Sequence, residues 1–189
     1  MDLNEALEKV RPYLKQVRFE HTKRVVDTAV KLSEYNDVDL YKTEIAAAFH
    51  DLAKYWPRDE MKRIILQEEY LPKDLLHYHH ELWHGPVGAY LVKHKYGIEE
   101  QDILDSIRYH TTGRANMGRL EKIVFLADYI EPGRDFPGIN EVRDMAWNDL
   151  DKACLMSLQN TIQFLMSKGA TIYPDTFQAY NDFTQKLSQ

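Results

Sequence analysis

A chain of 189 residues, 44% hydrophobic and 12% aromatic, is long enough to bury one sizeable core and fits a single domain. Its net charge of −6 argues against a broad nucleic-acid face, which needs concentrated Lys and Arg, and no window holds the roughly 18 apolar residues of a membrane span. The N-terminus, MDLNEALEKV, lacks the apolar stretch of a secretory signal. A single cysteine, Cys154, cannot close an internal disulfide, so a reducing cytoplasm is the expected location.

Helical periodicity runs through the chain, and no alternating strand pattern competes with it. Residues 2–17 predict an amphipathic helix on Leu3, Leu7, Val10 and Leu14, kinked by Pro12. Residues 19–35 predict a second, with His21 heading the face of Val25, Ala29 and Leu32. A third is predicted over 39–54, capped by Asp39 or Thr43, where the run TEIAAAFHDLAKY carries an adjacent His50-Asp51 pair. Pro57 closes that unit, and 58–69 reads as a short helix on Met61, Ile64 and Ile65. The stretch 72–83 is irregular and rich in His and Leu. A helix opening near Gly85-Pro86 runs through Val87 and Leu91 to a stop at Gly97. The next, on Ile103, Ile107 and His110, breaks at Gly113. Residues 120–130 are apolar nearly all round, which marks a central buried helix. After a Pro-Gly loop come helices at 139–147, 149–168 and 175–186. The expected fold class is all-α.

Six ionisable residues stand where this pattern asks for apolar ones: His21, His50, Asp51, His84, His110 and Asp128. A buried histidine or carboxylate is costly unless it is paired or bound to a metal. Any one alone reads as a hydrogen-bonded core residue. Six pointing inward from several helices are satisfied together by a metal. Imidazole and carboxylate ligands without thiolate suit iron, manganese, cobalt or zinc. His77, His79 and His80 read as structural or exposed, and Cys154 as a small packed residue.

The words HDLAK, HGPVGA, RYHTTGR and LADYIEPGR, in that order and spacing, are similar to those of the bacterial YqeK family of HD-domain metal-dependent phosphohydrolases. The resemblance extends from about His21 to the closing YPDTFQAYN. It implies a single HD-domain helical bundle, with a metal core over about 18–135 and C-terminal helices over 138–186 packing on it. It also implies symmetrical hydrolysis of diadenosine tetraphosphate to two ADP by a metal-activated hydroxide. One ion would be held by His21, His50, Asp51 and Asp128. Asp51 would bridge to a second held by His84 and His110. Iron is the first choice of metal, with manganese, cobalt and zinc as alternatives, in one or two sites. Asp51 and Lys54 are the catalytic candidates. Nucleotide contacts are expected from Arg18, Lys54, Trp83, His84, Tyr109, His110, Thr111, Arg114, Asp128, Arg134 and Tyr173. The expected partner is a dinucleoside polyphosphate, with ADP or GDP as a product-like ligand, and neither DNA, RNA nor a membrane; dimerisation stays open. Two alternatives remain: an HD-type nucleotidase or dNTP triphosphohydrolase on another nucleotide, and a nucleotide-sensing module without turnover.

Overall fold

Side-chain caps and left-handed stops set most of the helix ends. The computed structural model describes residues 1–188. Asp2 opens α1 (Leu3–Val10) with a capping box: its carboxylate accepts from the Glu5 N–H, and Glu5 accepts from the Asp2 N–H, both at 2.9 Å. Asp39 caps α3 (Leu40–Phe49) and Asp149 caps α9 (Leu150–Ser167), each accepting from the N–H three residues on. Such a cap stabilises a helix by about 1 kcal/mol. Left-handed residues end α2 (Gln16–Asn36), at Asp37 with φ 53°, and α5 (His84–Tyr96), at Gly97 with φ 67°. The remaining helices are α4 (Arg58–Gln67), α6 (Gln101–Tyr109), α7 (Arg119–Ile130), α8 (Ile139–Ala146) and α10 (Pro174–Leu187). No strand occurs among the described residues, so the fold is all-α.

Two helices are shorter than their periodicity predicts. The one expected over 2–17 stops at Val10, and Arg11–Tyr13 form a 3-10 turn. Pro12 has no N–H to give, and its ring clashes with the carbonyl four residues back. The one expected over 39–54 stops at Phe49. Beyond it the backbone proceeds in three-residue turns, with Leu52, Lys54 and Trp56 donating to the carbonyls of Phe49, Asp51 and Ala53. The Ala47 carbonyl meanwhile accepts Nδ1 of His50 at 2.7 Å, so a side chain competes with the helical ladder. The second of the three-residue turns ties the Lys54 N–H to the Asp51 carbonyl at 2.9 Å. Thr43 lies inside α3 and bonds the Asp39 carbonyl, which leaves Asp39 as the cap. The irregular stretch 72–83 holds two 3-10 turns, Lys73–His77 and His80–Leu82.

Helix α7 lies at the centre, packed by α2, α3, α6, α8 and α9, which is why its sequence is apolar nearly all round. Phe49, Leu32, Ile45, Ile107, Ile123 and Leu126 are fully buried around it. Each contributes about 1.5–3 kcal/mol by leaving water. On the far side, α8 and α10 pack on α9. No described helix is long and apolar enough to cross a membrane. The packing brings one turn of α2, the ends of α3, α6 and α7, and the start of α5 to a common point.

Candidate metal centre

Four of the chain's eight histidines meet at that point, and the partner of each Nδ1 dictates what its Nε2 can do. His50 and His110 follow the last residues of α3 and α6. Their Nδ1 atoms lie 2.7 Å from the carbonyls of Ala47 and Ile107, three residues back. His84 opens α5 and reaches the Glu81 carbonyl of the preceding 3-10 turn at 2.5 Å. Carbonyls only accept, so these three Nδ1 atoms carry hydrogen and the neutral ring turns a lone pair on Nε2 inward. His21 sits within α2, where backbone carbonyls are already taken by the helix. Its Nδ1 instead meets Oε1 of Glu131 at 3.0 Å, 110 residues away.

Two carboxylates stand among the inward nitrogens. Oδ2 of Asp51 lies 3.4 Å from His50 Nε2 and 3.7 Å from His21 Nε2, while its Oδ1 lies 3.1 Å from His84 Nε2 and 3.8 Å from His110 Nε2. Oδ1 of Asp128 lies 3.0 Å from His21 Nε2 and 3.9 Å from His50 Nε2. The Nε2 atoms of His84 and His110 are 3.0 Å apart. With the Nδ1 protons placed as above, acceptors face acceptors throughout. Nε2 of His21 and of His50 are buried with no hydrogen-bond partner among the described residues. Such an arrangement is unfavourable unless cations or extra protons lie between. Three overlapping groups have the spacing to hold a metal: His21-His50-Asp51, His50-Asp128-His110 and Asp51-His84-His110. The donor set of imidazole and carboxylate fits a divalent transition metal.

The electrostatics point the same way. Burial pushes the Asp51 carboxyl up, but the imidazoles of His50 and His84 outweigh it and hold it well below its ordinary range. Asp128 is likewise lowered, burial being overcome by His21, His50 and Arg134. Burial, with His84 and His50 nearby, lowers His110 to about 3. The centre therefore keeps anionic carboxylates and a neutral His110, while His50, raised because Asp51 and Asp128 outweigh its burial, favours a proton that a bound cation would displace.

The other candidate residues divide into two groups. Arg18 reaches Oδ2 of Asp51 at 3.1 Å, Arg134 reaches Oδ1 of Asp128 at 2.8 Å, and Thr111 Oγ1 lies 3.0 Å from His110 Nε2. Lys54 pairs with Glu81 at 2.6 Å on the His84 side. These four border the centre. Arg114 is committed to Glu121 at 2.7 Å and Asp105 at 3.1 Å, and it stacks on Tyr109. The Trp83 indole donates to the Leu75 carbonyl at 3.0 Å. Tyr173 packs edge-on against Tyr78, with its hydroxyl 3.4 Å from Asp74.

Glu131 is the residue that sequence reasoning missed. It is 1% exposed and accepts from Arg24 Nε at 2.5 Å and the Gly133 N–H at 2.6 Å as well as from His21. These partners overcome burial and lower it to about 2. A signal existed. An acid directly after the last residue of a helix opposes the helix dipole, and so needs a specific partner.

The HD domain family model matches residues 18–133. A Bacillus subtilis protein named bis(5'-nucleosyl)-tetraphosphatase, symmetrical, is 51% identical, covering 96% of this chain and 97% of its own length. A Halalkalibacterium halodurans protein of the same name is 49% identical, with 96% of each chain covered. A crystal structure from Clostridium acetobutylicum, described as a "predicted HD superfamily hydrolase involved in NAD metabolism", superposes with a TM-score of 0.93 at 39% identity over 98% of both chains. With a family model spanning more than half its length and relatives about half identical along nearly all of it, the chain belongs to the HD domain family, in its YqeK branch.

Proposed function

We propose that the protein hydrolyses diadenosine tetraphosphate and related dinucleoside polyphosphates symmetrically, giving two nucleoside diphosphates. One observation carries the reading. A single carboxylate, Asp51, turns Oδ2 to the His21–His50 side and Oδ1 to the His84–His110 side. The chain around it is 51% identical to a protein named for that reaction.

His21, His50, Asp51 and Asp128 would hold one divalent ion, and Asp51, His84 and His110 a second; iron is the metal of choice, with manganese, cobalt and zinc as alternatives. Such ions supply Lewis acidity toward phosphoryl oxygens and an activated water at neutral pH. The chain's own residues do the rest. Asp51 stays ionised between the two sides and keeps both sets of ligands in register. Arg18 and Arg134, paired with Asp51 and Asp128, hold these carboxylates in place and present guanidinium charge to a phosphate chain. Lys54, one hydrogen-bonded turn after Asp51, neutralises charge developing on the leaving diphosphate. That leaving group is itself a phosphate with a second pKa of about 6, so it departs at neutral pH without a general acid. Thr111 stands ready at His110 to accept or donate to a phosphoryl oxygen. Arg114, Trp83 and Tyr173 direct their polar groups to protein partners and support the walls. The enzyme is read as cytoplasmic, with nucleotides as its partners.

The test is product analysis. Protein stripped of metal and reloaded with ferrous or manganous ion is given diadenosine tetraphosphate, and the nucleotides are separated. ADP as sole product is expected. ATP plus AMP overturns the symmetrical register, and no turnover with any divalent ion overturns the hydrolase.

A further inference from the structure

A symmetrical cut demands two half-sites, and the two flanks of the centre are unequal. Attack on an inner phosphorus of a four-phosphate chain leaves a whole nucleoside diphosphate on each side of the breaking bond. On the His110 flank, Tyr109, Thr111 and Tyr173 line a crevice of only about 10 Å³. On the other flank a cleft of about 220 Å³ opens, with His84 itself in its wall. Lys54, Trp56, Arg58, His80 and Glu81 also line that wall. They come from the turn after α3, the start of α4 and the 3-10 turn before α5.

Resting on the hydrolase reading above, we propose that this cleft beside His84 is the half-site for one nucleoside diphosphate, with Lys54 and Arg58 taking its phosphates and the Trp56 indole donating to it. The cations have exchangeable partners. Lys54 holds the half-exposed Glu81 at 2.6 Å, and the exposed Arg58 donates to Nε2 of His80 at 2.6 Å. Burial and the charge of Arg58 lower His80, so it acts as a neutral acceptor. A phosphate binds a guanidinium more strongly than a neutral imidazole does, and can fork both of its nitrogens. The Trp56 indole N–H is buried and has no partner among the described residues. A buried donor without an acceptor is costly, and a ligand oxygen in the cleft would satisfy it. Tyr55, 44% exposed in the same wall, offers a face on which a base can stack. Because His84 belongs to both the cleft and the centre, the two are continuous.

Calorimetric titration of the ion-loaded protein with ADP tests the assignment. The wild type is expected to bind ADP in this cleft. Arg58→Ala is expected to weaken it by about tenfold or more, the worth of a charge-assisted hydrogen bond. The KM for diadenosine tetraphosphate should rise by a similar factor, and Arg58→Lys should recover part of the loss. Trp56→Phe keeps the ring but removes the N–H, and should weaken the same ADP by about threefold. No ADP bound by the wild type, or wild-type binding by both Arg58→Ala and Trp56→Phe, overturns the half-site. If the wild type cleaves the tetraphosphate and Arg58→Ala matches it in KM, only the half-site falls. If the wild type does not cleave it, the hydrolase reading falls first.

Discussion

Two regions of the centre solve the same problem, an imidazole held with its Nε2 turned inward, by different physical means. His50 and His110 sit just past helix ends, where the last carbonyls lack helical partners, and His84 follows a 3-10 turn; each is fixed by the carbonyl three residues before it. Their support is backbone, local and independent of side-chain identity. His21 lies within a 21-residue helix with no free carbonyl in reach. It depends on Glu131, which in turn depends on Arg24 and on the loop that follows α7. Arg143 of α8 ties that loop down, donating to the carbonyls of Ile130, Glu131 and Arg134 at 2.8–2.9 Å. Mid-helix placement gives rigidity along the chain but transfers the orientation of the ring to residues far away in sequence.

Several substitutions break or sharpen this contrast. Asp51→Ala removes the carboxylate that faces all four histidines; turnover is expected to fall below detection and both ions to be lost, while far-UV circular dichroism keeps its helical form. Retained activity would sink the shared-carboxylate arrangement. Glu131→Gln should weaken metal retention on the His21 side by about 10–100-fold, the usual cost of disturbing a histidine's outer partner. Metal analysis after graded chelation reads this directly, and equal loss from both sides would erase the asymmetry.

Acid titration of the ion-free protein probes both regions at once. His110, lowered to about 3 by burial, resists a proton that the unfolded chain accepts below about 6.5. Its stabilisation is therefore full above that value and lost as pH falls toward 3. Glu131, lowered to about 2, adds stability that is present above its unfolded value of 4.5 and lost as pH falls toward 2. His50 acts in the opposite sense: Asp51 outweighs its burial and raises it, so its contribution fades as pH rises past 6.5. The first two are expected to dominate, giving a Tm that drops from about pH 6.5 toward pH 2 as His110 and then Glu131 lose their contributions; a flat or rising Tm would contradict the assigned partners.

Smaller effects are expected at two further positions. A Cβ on Gly133 would stand 2.5 Å from Arg24 Nη2, so Gly133→Ala must displace the guanidinium that braces Glu131. The result should be a several-fold loss of metal on the His21 side only, milder than Glu131→Gln because Arg24 is flexible. Glu81→Ala keeps the carbonyl that holds His84 and should leave metal retention unchanged. A large loss there would show that the helix-end histidines also need side-chain support.

Much of this centre was legible before the fold. Helical spacing placed His21, His84, His110 and Asp128 on inward faces, because burial imprints a period on the sequence whatever the helix packs against. Caps such as Asp39, and stops such as Gly97, were readable because they act within a few residues. The ends of the first and third helices were not. Apolar residues keep recurring every three or four positions through short turns, so the shift from α to three-residue turns at His50 leaves little trace in the pattern.

What the sequence alone determined is therefore the all-α fold class, the inward residues and, through four short words, the family. Only the tertiary structure decided that Asp51 divides its two oxygens between two histidine pairs, that Arg114 serves Glu121, and that Glu131 orients His21 across 110 residues. The physical reason is range. Propensity, capping and amphipathicity are local and are written along the chain, whereas ion pairs and hydrogen bonds between distant segments depend on how helices pack, which no periodicity encodes.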